Sequence, residues 1–132
     1  MHHTHFKGMV GELEFTLSLI HKGFTVLKPI NQNSGYDLVI EKDSKFSRIQ
    51  IKYCTPNKNG ILRVELGRPM RKTKPYVERE VDAMGVYNSR DQKCYLIPIN
   101  STKNKREIWL RTEITKNGRM KHIHLASEFE LE

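Results

Sequence analysis

The stretch GYDLVIEKDSKFSRIQIKY, residues 35–53, decides the fold. Leu38 and Ile40 alternate with Asp37, Val39 and Glu41 on its first arm; Ile49 and Ile51 alternate with Arg48, Gln50 and Lys52 on its second. A period of two puts each set on its own face of a pleated strand. Between the arms lies Lys42-Asp43-Ser44-Lys45, short and polar, as the connection of a β-hairpin requires. With Asp43 and Ser44 as the loop, or with residues 42–45 as the loop, Asp37 falls directly opposite Gln50. Such partners have Cβ atoms about 4.5–5.5 Å apart on one face, and Lys52 lies diagonal to Asp37 on that same face. An acid, an amide oxygen and an amine therefore converge from local pairing alone. A loop of odd length shifts the register and separates them.

Upstream, Val10, Leu13, Leu17 and Ile20 recur at helical spacing, which predicts a helix over residues 7–22 with one apolar stripe. Phe15 and Leu19 fall on another side, so the helix is expected to be covered on two faces, by the sheet and by a second surface. Gly23 is its predicted stop. Glu12 and Glu14 flank the main stripe at roughly right angles, at about 100° per residue. Residues 24–28 read as a short strand ended by Pro29, and a polar loop then leads into the hairpin. Downstream, Asn59-Gly60 suits a tight turn, and residues 61–66 alternate as a further strand. The basic stretch GRPMRKTKPYVER, residues 67–79, is expected to be irregular and exposed. Residues 81–87 and 93–99 form a second expected hairpin around Asn88-Ser89-Arg90-Asp91, with Pro98 at a strand end. Residues 108–111 read as one more strand, and the tail over 116–124 is basic again with a turn at Asn117-Gly118.

Length and charge narrow the function. A chain of 132 residues suits one domain, and its 37% hydrophobic content favours a folded one. The formal charge of +8, from 23 Lys and Arg against 15 Asp and Glu, points to a polyanionic partner, foremost nucleic acid. No apolar run approaches the roughly 20 residues of a membrane span, and no signal peptide is visible. The expected location is cytoplasmic, associated with the nucleoid through DNA. Cys54 and Cys94 show no metal-ligand spacing and read as reduced, partly buried thiols. His21, His122 and His124 read as surface or DNA-facing residues, and the opening Met-His-His-Thr-His as a frayed end.

A glutamate in the first helix, an acid on one strand, and Gln-x-Lys on the next together resemble the PD-(D/E)XK nuclease core. Here these are Glu12, Asp37, Gln50 and Lys52. Within that superfamily the pattern is similar to the small group I intron-encoded homing endonucleases, which carry Gln in place of the usual acid. KGMVGE, the 35–53 stretch, VDAMGVY and CYLIPI carry the likeness, over about residues 7–129. The resemblance implies a restriction-endonuclease-like α/β core: an N-terminal helix, then a mixed β-sheet with flanking helix or loop elements, as a single nuclease-like domain over residues 1–132.

The chemistry of phosphodiester hydrolysis asks for such residues. A hard divalent ion, expected to be Mg²⁺ with Mn²⁺ as a substitute, takes one or two carboxylates and keeps several waters. Asp37 is the principal candidate ligand, Glu12 a second carboxylate and Gln50 a neutral oxygen; the Ile51 carbonyl is implied by the resemblance. Lys52 would orient the attacking water and stabilise phosphate charge. Gly11, lacking a side chain, would allow a DNA backbone or a strand to come close. Tyr36 and Tyr53 read as packing residues, and Asp82 as either a supporting or a turn acid. DNA contact is expected from three basic clusters: Arg68, Arg71, Lys72, Lys74 and Arg79; Lys103 and Lys105 in the stretch up to Arg111; and Lys116, Arg119 and Lys121. One active site per chain makes a homo-oligomer, dimer or tetramer, the expected assembly for cutting both strands of double-stranded DNA. Three readings stay open at this point: a homing endonuclease, a Holliday junction resolvase or restriction-type nuclease of the same core, and a non-catalytic DNA-binding protein.

Overall fold

The structure is a computed structural model that describes residues 3–31, 35–68, 71–75, 80–102, 105–113 and 124–131. It opens with helix α1, His3–His21, four residues earlier than the apolar spacing suggests. The helix stops as expected at Gly23, which adopts φ 89°. There the Gly23 N–H donates to the Ile20 carbonyl (3.0 Å) and the Phe24 N–H to the Leu19 carbonyl (3.0 Å). This pair of bonds is a Schellman motif, and Phe24 and Leu19 join the same apolar cluster beside it.

Strands β1 (Thr25–Leu27), β2 (Leu38–Lys42), β3 (Lys45–Cys54), β7 (Ala83–Asn88) and β8 (Lys93–Pro98) build the main sheet in the order β1-β2-β3-β7-β8. All its pairs are antiparallel except β3 with β7, which makes it mixed. The hairpin register is the expected one, running from Leu38↔Ile49 to Lys42↔Lys45. Its loop is Asp43-Ser44, with φ 53° and 65°. Positive φ at both central residues is the signature of a type I′ turn, whose twist matches that of the flanking strands.

A second sheet, β10-β9-β4, is made by β4 (Ile61–Glu65), β9 (Glu107–Arg111) and β10 (His124–Leu125). Each face of the main sheet has its own core. Toward α1, Phe15 and Leu19 pack on Leu38, Ile40, Ile49, Ile51, Ala83 and Tyr87. Toward the second sheet, Met84, Val86, Tyr95 and Ile97 meet Leu62, Val64, Ile108 and Leu110. β7 alternates between these two cores, which explains why all six of its residues are buried and why it reads as a near-continuous apolar run. Asn88 ends it as a buried hub: its amide donates to Asp91 Oδ2 (3.0 Å), and its oxygen accepts the Arg90 and Asp91 N–H groups (3.1 Å each).

Two expectations need correcting. The described residues after Leu66 are not irregular: β5 (Gly67–Arg68) and β6 (Arg71–Pro75) pair antiparallel, with Arg68↔Arg71 in register. Pro75 is compatible with this because, among the described residues, the pair has no further strand beside it. On α1, the face that meets the sheet is Gly11, Phe15 and Leu19, while Leu13, Leu17 and Ile20 are 64%, 52% and 56% exposed. Among the described residues, only one of its two apolar faces is covered.

Candidate active site

Gln50 and Lys52 lie on the face of β3 opposite the one that Ile49 and Ile51 present to α1. Asp37 sits one residue before the paired part of β2, and here the ladder changes. Its N–H donates to the Ile49 carbonyl at 2.9 Å, and its carboxylate Oδ2 accepts the Ile51 N–H at 2.8 Å. A side-chain oxygen thus takes the place of a backbone partner at the ladder's end, which locks the carboxylate onto β3 between Gln50 and Lys52. Burial pushes the Asp37 carboxyl above its ordinary pKa. The Ile51 N–H opposes that shift, the Glu12 carboxylate adds to it, and the Lys52 and Lys28 ammonium groups oppose it.

Glu12 reaches the same end of the sheet from α1. The helix is seated closely because Gly11 leaves room: a Cβ there would stand 3.3 Å from Tyr53 Cβ and 3.6 Å from Tyr53 Cα. So Gly11 serves a strand's approach, one of its two expected uses. Phe15 is received in the same way over Gly85, where an added Cβ would lie 2.8 Å from the Phe15 ring. Glu14, by contrast, acts electrostatically on Tyr87 and Cys94 rather than on Asp37, so the two helical acids face different neighbourhoods.

Lys28 escapes a reading of the sequence. It follows the Leu27↔Val39 pair, so β1 delivers it to the Asp37 end of the sheet. Its Nζ forms an ion pair with Glu12 Oε1, the lysine side chain 61% exposed and the glutamate 28%. No spacing rule connects residues 12 and 28; the contact exists only because a helix end and an edge strand meet.

Beside Lys52 a cleft of about 450 Å³ opens, lined by Lys52, Tyr53, Cys54, Arg63, Glu65 and Glu107. On its wall Arg63 lies over the Trp109 ring at 4.8 Å and bonds Glu107 at 3.2 Å, and the Trp109 indole N–H donates to the same carboxylate. Burial raises the Cys54 thiol to about 11, which keeps it protonated and out of nucleophilic chemistry. Tyr53 and Tyr36 are packing residues as expected. Asp82 proves to be a clamp: its carboxylate accepts the Arg48 N–H (2.7 Å) and guanidinium (3.1 Å), tying the start of β7 to β3.

The basic residues divide. Arg68, Arg71, Lys72 and Lys74 stand on the β5–β6 pair, and Lys105 is exposed just before β9. Arg79, Lys103, Lys116, Arg119, Lys121 and His122 lie outside the described residues. His21 is exposed, and His124 makes an edge contact with Phe129.

Among the described residues no cluster of three or more His, Cys, Asp and Glu side chains is gathered for a metal. The donor set suits Mg²⁺ all the same, since this ion takes only one or two carboxylates. Asp37 and Glu12 repel each other, and a cation between them would relieve that repulsion; the ammonium of Lys28 already answers the charge of Glu12.

These features are those of a nuclease fold. A family model for the PD-(D/E)XK endonuclease matches residues 2–132, and the chain belongs to that family. The structure of the bacterial homing endonuclease I-Ssp6803I superposes with a TM-score of 0.78 over 97% of this chain and 88% of that one, at 22% identity. The expected restriction-endonuclease-like core, helix first and then a mixed sheet, is the observed fold. Protein 5.3 of Escherichia phage T7 is 31% identical over 94 residues, covering 69% of this chain and 78% of its own length. Family membership implies a DNA substrate, and no described helix is long and apolar enough to cross a membrane.

Proposed function

We propose that the protein is a Mg²⁺-dependent endonuclease that cuts double-stranded DNA at a specific site, in the manner of a homing enzyme. The observation that carries this reading is the meeting of Glu12 and Asp37, from separate elements, at the Gln50-Ile51-Lys52 segment of β3. Asp37 and Glu12 would hold the cation with the Gln50 side-chain oxygen and the Ile51 carbonyl. Bound there, Mg²⁺ supplies charge for the transition state and eases deprotonation of water. Lys52 orients the attacking water and stabilises charge on the phosphate. The Ile51 N–H bond holds Asp37 in place before any metal binds, which would spare it reorganisation in the reaction. The basic residues of β5–β6 and Lys105 are candidates for DNA contact, in which phosphate contacts would position the duplex and bidentate arginine contacts to guanine would specify sequence.

Cutting both strands takes two such sites. We assign the second apolar face of α1 to contact with another copy of the chain. Phe6, Met9, Leu13, Leu17 and Ile20 are each at least half exposed and follow one stripe, about 21 Å long at the helical rise. Leu13→Lys with Leu17→Lys should then turn double-strand breaks into nicks and lower the mass seen by sedimentation.

Purified protein incubated in Mg²⁺ with a plasmid library, its product ends mapped, tests the whole reading. Ends clustered at one long sequence support it, and cleavage confined to four-way junctions indicates a resolvase. Binding with no cleavage in Mg²⁺ or Mn²⁺ indicates a non-catalytic protein. Asp37→Ala and Lys52→Met should abolish cleavage and keep specific binding. Glu12→Gln should lose most activity and Glu14→Gln should not; the reverse would mean the wrong helical acid has been chosen.

A further inference from the structure

We propose that Lys28 is an internal counter-cation of the acid site, which occupies Glu12 in the DNA-free protein and thereby holds metal affinity low until substrate is present. The inference rests on the proposed metal-binding role of Glu12 and Asp37. It goes further by giving a role to a residue outside the Glu12, Asp37, Gln50 and Lys52 constellation.

Three observations converge on it. Lys28 Nζ pairs with the Glu12 carboxylate, the acid that reaches the sheet from α1. β1 brings Lys28 to the same end of the sheet as Asp37, whose carboxylate senses its charge. The lysine side chain is 61% exposed, so leaving Glu12 requires no repacking and returns the ammonium to water or to a phosphate.

Competition follows from elementary electrostatics. A cation that takes Glu12 as a ligand must break the ion pair with Lys28 and then stand near an ammonium of the same sign. Gln50 in place of an acid deepens the effect, because a neutral oxygen offers the cation no charge to compensate. DNA reverses the balance, since its phosphates attract both cation and lysine. Lys28 can then exchange Glu12 for a phosphate oxygen while the metal takes the glutamate. The ion pair is a latch whose release is coupled to substrate. It would limit cleavage-competent metal loading on protein that has not found a target.

The test is calorimetric titration of DNA-free protein with Mn²⁺ at low ionic strength, on wild type, Lys28→Met, Lys28→Arg and Asp37→Ala. Lys28→Met keeps the aliphatic stem and removes the charge; it should bind Mn²⁺ about two- to fivefold more tightly, the gain expected from deleting an exposed ion pair worth up to about 1 kcal/mol. Lys28→Arg keeps the charge and should bind like wild type, which a merely structural role for the side chain would not produce. Asp37→Ala should lose the site. If Asp37→Ala loses binding while Lys28→Met matches wild type, the latch is overturned and the metal site stands. If all four bind alike, the proposed metal site itself is overturned. Thermal melts of each variant without metal establish that the fold is retained, as the exposure of Lys28 leads one to expect.

Discussion

Gly11→Ala separates two effects that usually travel together, stability and catalytic geometry. The new methyl would stand 3.3 Å from Tyr53 Cβ and 3.6 Å from Tyr53 Cα. Carbon pairs prefer about 3.5–4.0 Å, so the contact must open by a few tenths of an ångström. Tyr53 cannot simply rotate away, because the atoms concerned are the root of its side chain and the backbone of β3. The helix must shift instead. Alanine in a helix interior gains about 0.8–1 kcal/mol over glycine, while mild overpacking costs about 1–3 kcal/mol. The two nearly offset, and urea denaturation should find a net change of no more than about 2 kcal/mol. Glu12 is the next residue and moves with the helix. If a 1 Å misplacement costs about 100-fold in rate, a shift of a few tenths should cost roughly five- to tenfold. Gly8→Ala is the matched control, because nothing lies within 4 Å of its added methyl. It should gain about 0.8 kcal/mol of stability and cut at the wild-type rate in a single-turnover assay. Equal cleavage by the two variants would refute the claim that the α1 seat positions Glu12.

Gly85→Ala drives a methyl to 2.8 Å from the buried Phe15 ring and should cost about 1–3 kcal/mol in chemical denaturation, more than Gly11→Ala. The two aspartates should show opposite pH behaviour. Asp37 has its pKa raised by burial, so its ionisation disfavours the fold: Asp37→Asn should be more stable than wild type at neutral pH, with the gain fading as pH falls through the raised folded pKa of Asp37 and gone below about 4, the unfolded value. Asp82 is lowered by its bonds to Arg48, so Asp82→Asn should be less stable at neutral pH, and its deficit should close as pH falls through the folded pKa of Asp82. Melts of both variants across the acid range check the signs, and a common direction would contradict the assigned causes. Gln50→Glu should raise Mn²⁺ affinity without DNA and keep measurable cleavage, whereas Gln50→Ala should impair cleavage; equal rates for these and wild type under limiting Mg²⁺ would remove Gln50 from the ligand set.

Much of the fold is legible in the sequence because much of it is local. The central hairpin follows from alternation and a two-residue loop, and its register is the one that sets Asp37 near Gln50. Gly23 announces the helix stop for a reason internal to the backbone, the left-handed φ that a Schellman motif requires. The faces of α1 are a different matter. Both are apolar, so periodicity finds two stripes and cannot say which meets the sheet. That choice is made by Gly11 and Gly85, small residues whose importance is visible only once the strand opposite is known. The β5–β6 pair was hidden by its prolines and charges, which weaken the usual strand signals without forbidding an isolated two-stranded ribbon.

The site divides along the same line. Asp37, Gln50 and Lys52 can be placed together by counting along one hairpin, yet the detail that fixes the acid cannot. Continued pairing would set Asp37 opposite Gln50 as a ladder residue; instead the ladder ends, and the carboxylate takes the Ile51 N–H for itself. An acid bound to the backbone in this way holds its position even though its charge is costly to bury, as the proposed metal-ligand role of Asp37 would require. Glu12 is reachable by analogy with a helix glutamate, but its partner Lys28 is not, because an ion pair between a helix and an edge strand leaves no periodic trace. Short-range geometry therefore discloses which groups are candidates for the chemistry. The charges that restrain them come from parts of the chain brought near only by folding, as Lys28 is brought to Glu12.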